Sequence, residues 1–118
     1  MTFTPTRPEP GADRASSYVL IVSYTAPLRA VDAAMPAHRR FLDEHFATGE
    51  FLASGPREPR IGGVILARFS SRARLTEVVG ADPFVRQDLA SYEVIAFHPT
   101  RGPFALPMSD PTASIPGP

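Results

Sequence analysis

The chain has 118 residues, of which 43% are hydrophobic, and its 12 basic and 12 acidic residues give a formal net charge of zero. This length predicts a single domain with a modest core, and the neutral balance argues against a nucleic-acid-binding surface, which normally carries a basic excess. Because the sequence has no Cys and no Lys, disulfides, thiolate nucleophiles, cysteine-bound metals and lysine Schiff bases are excluded. We find no apolar run of signal-peptide or membrane-spanning length, so we expect a cytoplasmic protein.

Proline is concentrated at the two ends of the chain. Three of the 14 prolines lie in residues 1–16 and five lie in residues 102–118, where the apolar residues show no periodicity. Such segments are typical of extended, poorly ordered chain. The sequence therefore predicts two flexible tails around a core domain at residues 17–101.

The core domain shows strand and helix patterns in the order β-α-β-β-α-β. The predicted elements are a strand at 17–25, a helix at 27–49, strands at 51–56 and 62–70, a helix at 71–80 and a strand at 91–99, with a short helix at 83–89 before the last strand. In the first helix, Pro36 either kinks the helix or opens its main segment. Ser70 or Ser71 is the expected N-cap of the helix at 71–80. This order predicts an α+β fold, with a four-stranded antiparallel sheet and both helices on one face.

Both sides of the predicted strands carry apolar residues. In the first strand Leu20 and Val22 share one side, while Val19 and Ile21 lie on the other. A sheet with one face in water should instead show polar residues on that face. We therefore expect a second copy of the chain to cover the helix-free face, which predicts a homodimer.

The stretch "GADPFVRQDL" places Asp82 directly before a proline. Asp is a favoured N-cap and Pro a favoured first helical residue, so Asp82 and Pro83 can simply begin a short helix. A carboxylate anchored at a helix start can also orient a partner such as histidine. The local pattern leaves both interpretations open.

Two histidines share one stripe of the predicted first helix. His38 lies on the same side as Phe41, Leu42 and His45, and this side faces the sheet. His38 can be a hydrogen-bonded, half-buried residue or a functional one. The two histidines are separated by about 10 Å along the helix axis, too far to share one ion, so we expect no metal site.

Several charged residues and a glycine pair have structural interpretations. Arg39 and Asp43 form an i, i+4 pair on the predicted solvent side of the helix. Arg57 and Arg60 flank a hairpin loop, where they can either meet an anionic substrate or stay solvated. The pair at 62–63 is Gly-Gly, which is typical of a turn.

Three segments, "PAHRRFLDEHFATGEFLASGP", "GGVILARFSSRARLTEVVGADPFV" and "YEVIAFHP", resemble the YciI-like family over about residues 18–100. The shared motifs are a helix histidine, an "SGP" turn, a glycine-led third strand and an Asp-Pro-aromatic sequence. The resemblance implies a ferredoxin-like domain that forms a dimeric α+β barrel. In fold the family is similar to muconolactone isomerases and antibiotic-biosynthesis monooxygenases.

The resemblance also implies a site. The histidine and aspartate of the family's proposed dyad fall on His38 and Asp82, and Ser54, Gly55 and Pro56 match the turn that lines the same pocket. Asp82 can both cap the short helix and bind His38, because an N-cap uses one carboxylate oxygen and leaves the other free. We therefore expect His38 and Asp82 to lie within hydrogen-bonding distance.

Two functions from different classes follow. In the first, the protein is a small enzyme without cofactor or metal, in which His38 is the general acid or base, Asp82 orients it, and Phe84 helps to shape the pocket. The resemblance implies lyase- or isomerase-type chemistry on a small aromatic, quinonoid or polyketide-like molecule, since the family includes a dehydrochlorinase of a chlorinated hydroxyhydroquinone. In the alternative, a non-catalytic protein binds a small ligand in the same pocket and assists a partner enzyme.

Overall fold

The computed structural model describes residues 3–4 and 17–105. Its elements are β1 (Phe3–Thr4), β2 (Ser17–Tyr24), α1 (Leu28–Ala47), β3 (Phe51–Pro56), β4 (Gly62–Arg68), α2 (Arg72–Gly80), α3 (Pro83–Arg86) and β5 (Ala90–Phe97). The β-α-β-β-α-β order predicted for the core domain is confirmed by β2 to β5. The predicted boundaries differ from the observed ones by at most three residues.

The five strands form one sheet in the order β1-β5-β2-β4-β3. Strands β2 to β5 pair with one another only in antiparallel fashion, which confirms the predicted four-stranded ferredoxin-like arrangement. The sequence predicted no strand before Ser17, yet Phe3 and Thr4 add a short edge strand parallel to β5. Most of the two predicted tails lies outside the described residues.

The core lies between the sheet and the helices. Alternate residues of the central strands point inward and are buried, as the period of two for a strand requires. The buried apolar residues include Tyr18, Leu20 and Val22 of β2, Val31, Ala34 and Phe41 of α1, Phe51 of β3, Ile65 and Ala67 of β4, Leu75, Val78 and Val79 of α2, Phe84 of α3, and Ala90, Tyr92 and Val94 of β5.

The ends of the helices follow their local sequence. Helix α1 begins at Leu28 and runs through Pro36, so Pro36 does not open its main segment. Ser71 caps α2 as predicted, because its hydroxyl accepts a hydrogen bond from the Arg74 N–H at 3.1 Å. Asp82 caps α3 and Pro83 occupies its first position, which confirms the capping interpretation.

Gly62 has a different role from the predicted one. It lies in β4 rather than in a turn, opposite Ser23 of β2. A Cβ atom at this position would lie 1.7 Å from the carbonyl oxygen of Val22, so no other residue fits without separating the two strands. The glycine therefore permits close backbone approach at the end of the sheet that borders the cavity described below.

The helix-free face of the sheet carries apolar side chains, as the sequence predicted. Val64, Ile95 and Phe97 are 38%, 43% and 36% exposed there, and Val19 and Ile21 between them are half-buried. The helices cover the other face. An extended apolar surface therefore remains open to solvent on the single chain.

A network of charges around Glu50 joins the end of α1, the start of β3 and the first turn of α2. Arg74 donates to both Glu50 carboxylate oxygens, from Nε at 2.7 Å and from Nη2 at 3.0 Å. His45 Nδ1 and the Thr48 hydroxyl each lie 3.0 Å from Glu50 Oε1. The hydrogen bonds from Arg74, assisted by those from His45 and Thr48, lower the Glu50 pKa from 4.5 to about 2.

This shift predicts a defined loss of stability in acid. A carboxylate whose pKa is lower in the folded chain contributes stability that is fully present above its unfolded value of 4.5 and is lost as the pH falls towards about 2. Glu50→Gln should reduce the free energy of unfolding at pH 7 by on the order of 2 kcal/mol, after allowance for solvent screening. Denaturant titrations of both proteins should show this difference shrinking between about pH 5 and pH 2. If the difference in free energy of unfolding between the two proteins stayed constant over that pH range, the Glu50 carboxylate would not be the source of the stability.

Candidate functional site

A cavity of about 300 Å³ lies between the inner face of the sheet and helices α1 and α3. Its walls are mainly apolar, and the inward-facing side chains come from β2, α1, β4 and α3: Val22, Met35, Leu42, Ile65 and Phe84. Polar groups enter from His38 of α1 and Ser54 of β3. A mostly apolar concavity with a few polar groups is typical of a small-molecule site.

Asp82 forms the base of this site. Its side chain is fully buried, and three donors meet its two oxygens. Oδ1 accepts from the Phe84 N–H and lies 2.9 Å from both that nitrogen and His38 Nδ1, while Oδ2 accepts from the Tyr92 hydroxyl at 2.5 Å. Because a buried carboxyl group is stable only when its oxygens are paired, these donors satisfy Asp82 and hold it in one orientation.

His38 is held in one orientation by two contacts. A carboxylate accepts only, so the 2.9 Å contact with Asp82 places a proton on His38 Nδ1. The Phe84 ring stacks on the imidazole with centroids 4.0 Å apart and planes 6° from parallel. Among the described residues, no hydrogen bond engages Nε2, which is therefore the ring nitrogen left for a bound molecule.

The predicted contact between His38 and Asp82 is confirmed. One local sequence supplies both partners of the imidazole, since Asp82 begins α3 and Phe84 lies in its first turn. Helix α1 brings His38 to them across 44 residues of chain. The side chain of His38 is more buried than the half-buried state that we predicted, at 8% exposure for the residue.

The predicted turn residues Ser54, Gly55 and Pro56 all border the cavity. They belong to β3, which confirms the strand predicted at 51–56, and not to the turn that the resemblance implied. A bulge between Phe51 and Ala53 inserts one extra residue, so that Ser54 pairs with Ile65 and faces the same side as Phe51. In a regular strand two residues three apart would face opposite sides, so the bulge turns Ser54 towards the cavity.

Tyr92 is a site residue that sequence reasoning missed. It lies in β5, is fully buried, and donates its hydroxyl hydrogen to Asp82. Burial, together with the negative charge of Asp82, raises the Tyr92 pKa well above 10, so the hydroxyl stays protonated and remains a donor. In β5 it shares the inward side with Val94, but nothing in the sequence indicated its partner.

The arginines around the cavity differ from the prediction. Arg57 binds the Ser23 hydroxyl at 2.9 Å and does not line the cavity, so it secures the hairpin instead of meeting a substrate. Arg60 does line the cavity. Arg39 also lines it, and no ion pair joins it to Asp43 within the described residues, so the predicted helix-surface pair is wrong.

Residues 3–4 and 17–105 contain neither a candidate metal site nor a helix that could span a membrane. In these ranges no group of three or more His, Asp or Glu side chains is arranged to hold a metal ion. No helix in the same ranges is both long and apolar enough to cross a membrane. The expected absence of a metal and a cofactor stays a prediction.

Comparison with known proteins identifies the family. A search of curated proteins gave no match to this chain. The model of the YCII-related domain matches residues 17–98, which include every element from β2 to β5 as well as His38, Ser54 and Asp82. Since this match spans most of the chain, the protein belongs to the family of YCII-related domains.

Proposed function

We propose that the protein is a small enzyme that performs acid–base chemistry without a cofactor, with His38 as the group that moves the proton. The observation that carries this proposal is the hydrogen bond of 2.9 Å between His38 and the buried Asp82 at the wall of a cavity. A histidine oriented by a carboxylate, with its second nitrogen facing a ligand cavity, is an arrangement suited to proton transfer.

The proposed reaction begins with neutral His38 protonated at Nδ1. Nε2 takes a proton from a carbon next to a carbonyl group, and the electron pair of the broken C–H bond forms an enolate. The imidazolium is stabilised by the Asp82 carboxylate, which Tyr92 and the Phe84 N–H hold in place. Return of the proton to another atom of the enolate completes an isomerisation. In a ring closure the enolate carbon attacks a second carbonyl carbon, and the resulting alkoxide takes the proton from Nε2. In an elimination the electron pair of the enolate expels an anionic leaving group, and the proton passes from Nε2 to that group or to water.

The walls of the cavity support a small, flat and largely apolar substrate. Phe84 and the aliphatic side chains of β2 and β4 contact its interior, and a volume of about 300 Å³ suits a molecule of one or two rings. An aromatic, quinonoid or polyketide-like compound is the substrate class that we propose. The cytoplasmic location predicted from the sequence is retained as part of the proposal.

Proton transfer can be tested without knowledge of the natural substrate. Wild-type protein should accelerate exchange of hydrogen for deuterium at the carbon next to the carbonyl of probes such as phenylpyruvate and 1-indanone. His38→Asn should lower the rate by about 10²- to 10⁴-fold, because an amide nitrogen can still donate to Asp82 but the base at Nε2 is gone. Proton spectra recorded in deuterium oxide measure the exchange.

The same assay separates the enzyme from the non-catalytic alternative. A ligand-binding or accessory protein would bind these probes but leave their exchange rates at the values measured in buffer. If the wild type and His38→Asn gave equal rates, the acid–base role of His38 would be wrong. Melting curves serve as the control that the variant is folded.

Substitutions at Asp82 distinguish capping from chemistry. Asp82→Asn should retain most of the stability, because Asn is also a good N-cap, but should lower the exchange rate because a neutral amide stabilises the imidazolium less. Asp82→Ala should destabilise the fold by about 2–4 kcal/mol, since it leaves three buried donors without an acceptor. Denaturant unfolding measures the change in stability, and the exchange rate measures the change in activity. Full activity in Asp82→Asn would show that Asp82 acts only as the N-cap of α3.

Tyr92 should act through Asp82 and not through the substrate. Tyr92→Phe keeps the ring but removes the donor to Oδ2, and it should lower kcat by about tenfold with little change in KM, because Tyr92 does not line the cavity. Tyr24→Phe is the matched control, since Tyr24 borders the cavity and its hydroxyl does not contact Asp82. A raised KM with unchanged kcat in Tyr92→Phe would contradict this role.

We also propose that two chains associate through the helix-free sheet face, which is supported by its exposed Val64, Ile95 and Phe97. Sedimentation at micromolar concentration should give twice the chain mass of 12.8 kDa. Ile95→Glu should give a folded monomer, because it places a charge in the apolar surface. Leu28→Glu is the control, since Leu28 is 44% exposed but lies on α1. A monomeric wild type would remove this proposal.

A further inference from the structure

The charged side chains that line the cavity are arginines. Arg39 and Arg60 both line it, and none of the described lining residues is acidic. Two carboxylates lie just outside this lining and already have partners, since Asp32 binds Arg60 and the buried Asp82 binds His38 and Tyr92. A cavity with one sign of charge raises the local concentration of ligands of the opposite sign.

Arg60 is held at the cavity by two neighbours. Asp32 binds its Nη2 at 2.5 Å from outside the cavity, and the guanidinium carbon lies 5.9 Å from the centroid of the Tyr24 ring. A guanidinium has five N–H donors in a planar fork, and the bond to Asp32 uses only one of them. The remaining donors of Arg60 can bind an acceptor inside the cavity.

Arg39 lines the cavity from helix α1. It follows His38 directly on α1, and its side chain is exposed. No hydrogen bond or ion pair engages it within the part of the chain that the structure describes. The hydrogen bond from Arg60, with a smaller effect of the Arg39 charge, lowers the Asp32 pKa. Asp32 takes none of the hydrogen-bond donors of Arg39, which therefore remain available at the cavity.

We infer that Arg39 and Arg60 form an anion subsite, and that the substrate carries a carboxylate on an otherwise apolar, ring-containing body. This inference rests on the proposed function and narrows its substrate class. The carboxylate would bind between the two guanidinium groups, and the ring would pack on Phe84 and the aliphatic wall. A guanidinium is suited to this group because its parallel N–H donors match the two oxygens of a carboxylate.

The subsite can be tested with 2-naphthoate and its neutral counterpart 2-naphthamide as probes, using calorimetry on the full chain. Arg39→Gln and Arg60→Gln should each weaken naphthoate binding by about three- to tenfold and leave naphthamide binding unchanged. Arg40→Gln is the matched control, because Arg40 is the next residue of α1, is exposed and does not line the cavity. Naphthoate binding should also weaken with added salt, whereas naphthamide binding should not.

Three results would overturn the inference. The first is naphthoate binding in Arg39→Gln and Arg60→Gln as tight as in Arg40→Gln. The second is an equal loss of naphthoate and naphthamide binding, which would indicate general damage to the cavity. The third is binding of inorganic phosphate as tight as that of naphthoate, since phosphate cannot use the apolar wall.

The outcome is separable from that of the acid–base proposal. His38→Asn should bind naphthoate with the same dependence on Arg39 and Arg60 as the wild type, although it no longer catalyses exchange. Arginine-dependent binding without any exchange in the wild type would remove the acid–base proposal and leave the anion subsite standing. Exchange of 1-indanone but not of phenylpyruvate would support the acid–base proposal and contradict the anionic substrate.

Discussion

A fully buried carboxylate costs several kcal/mol unless hydrogen-bond donors replace the water that it loses. Asp82 meets this condition with donors from three separate elements: the backbone of α3, His38 of α1 and Tyr92 of β5. Each donor reaches the carboxylate only when its own element is in place. The same interactions that make the burial of Asp82 possible therefore fix the position of the imidazole at the cavity.

This arrangement ties the site to the stability of the whole domain. Loss of Asp82 affects the start of α3, the orientation of His38 and a buried tyrosine together, so a variant that is inactive for structural reasons resembles one that is inactive for chemical reasons. Substitutions that preserve shape, such as Asn for Asp or Phe for Tyr, separate the two because they leave the packing nearly intact. The Glu50 network joins the end of α1 to the first turn of α2 and does not line the cavity. Substitutions in it therefore change the stability of the fold without touching the proposed catalytic groups.

Features with a strong local signal could be predicted from the sequence. The order of elements followed from periodicity and from caps such as Ser71 and Asp82, and the contact between His38 and Asp82 followed from motif order in the family resemblance. Features that depend on long-range geometry could not be predicted. No residue near Tyr92 in the sequence indicates that its hydroxyl binds Asp82, because the two meet only when β5 has paired with the rest of the sheet. The inward position of Ser54 depends on a bulge, and a period-two pattern cannot represent an extra residue.

The parallel stacking of Phe84 on His38 has a practical consequence for magnetic resonance. Protons held over the face of an aromatic ring are shielded by its π-electron current, so the carbon-bound protons of the His38 imidazole should resonate upfield of their usual positions. His45 meets the rings of Phe41 and Phe51 at steep angles instead, with interplanar angles of 61° and 47°. The two helix histidines are therefore distinguishable in a spectrum of the unmodified protein. The shifted resonances of the His38 imidazole protons therefore allow ligand binding at the site to be followed directly.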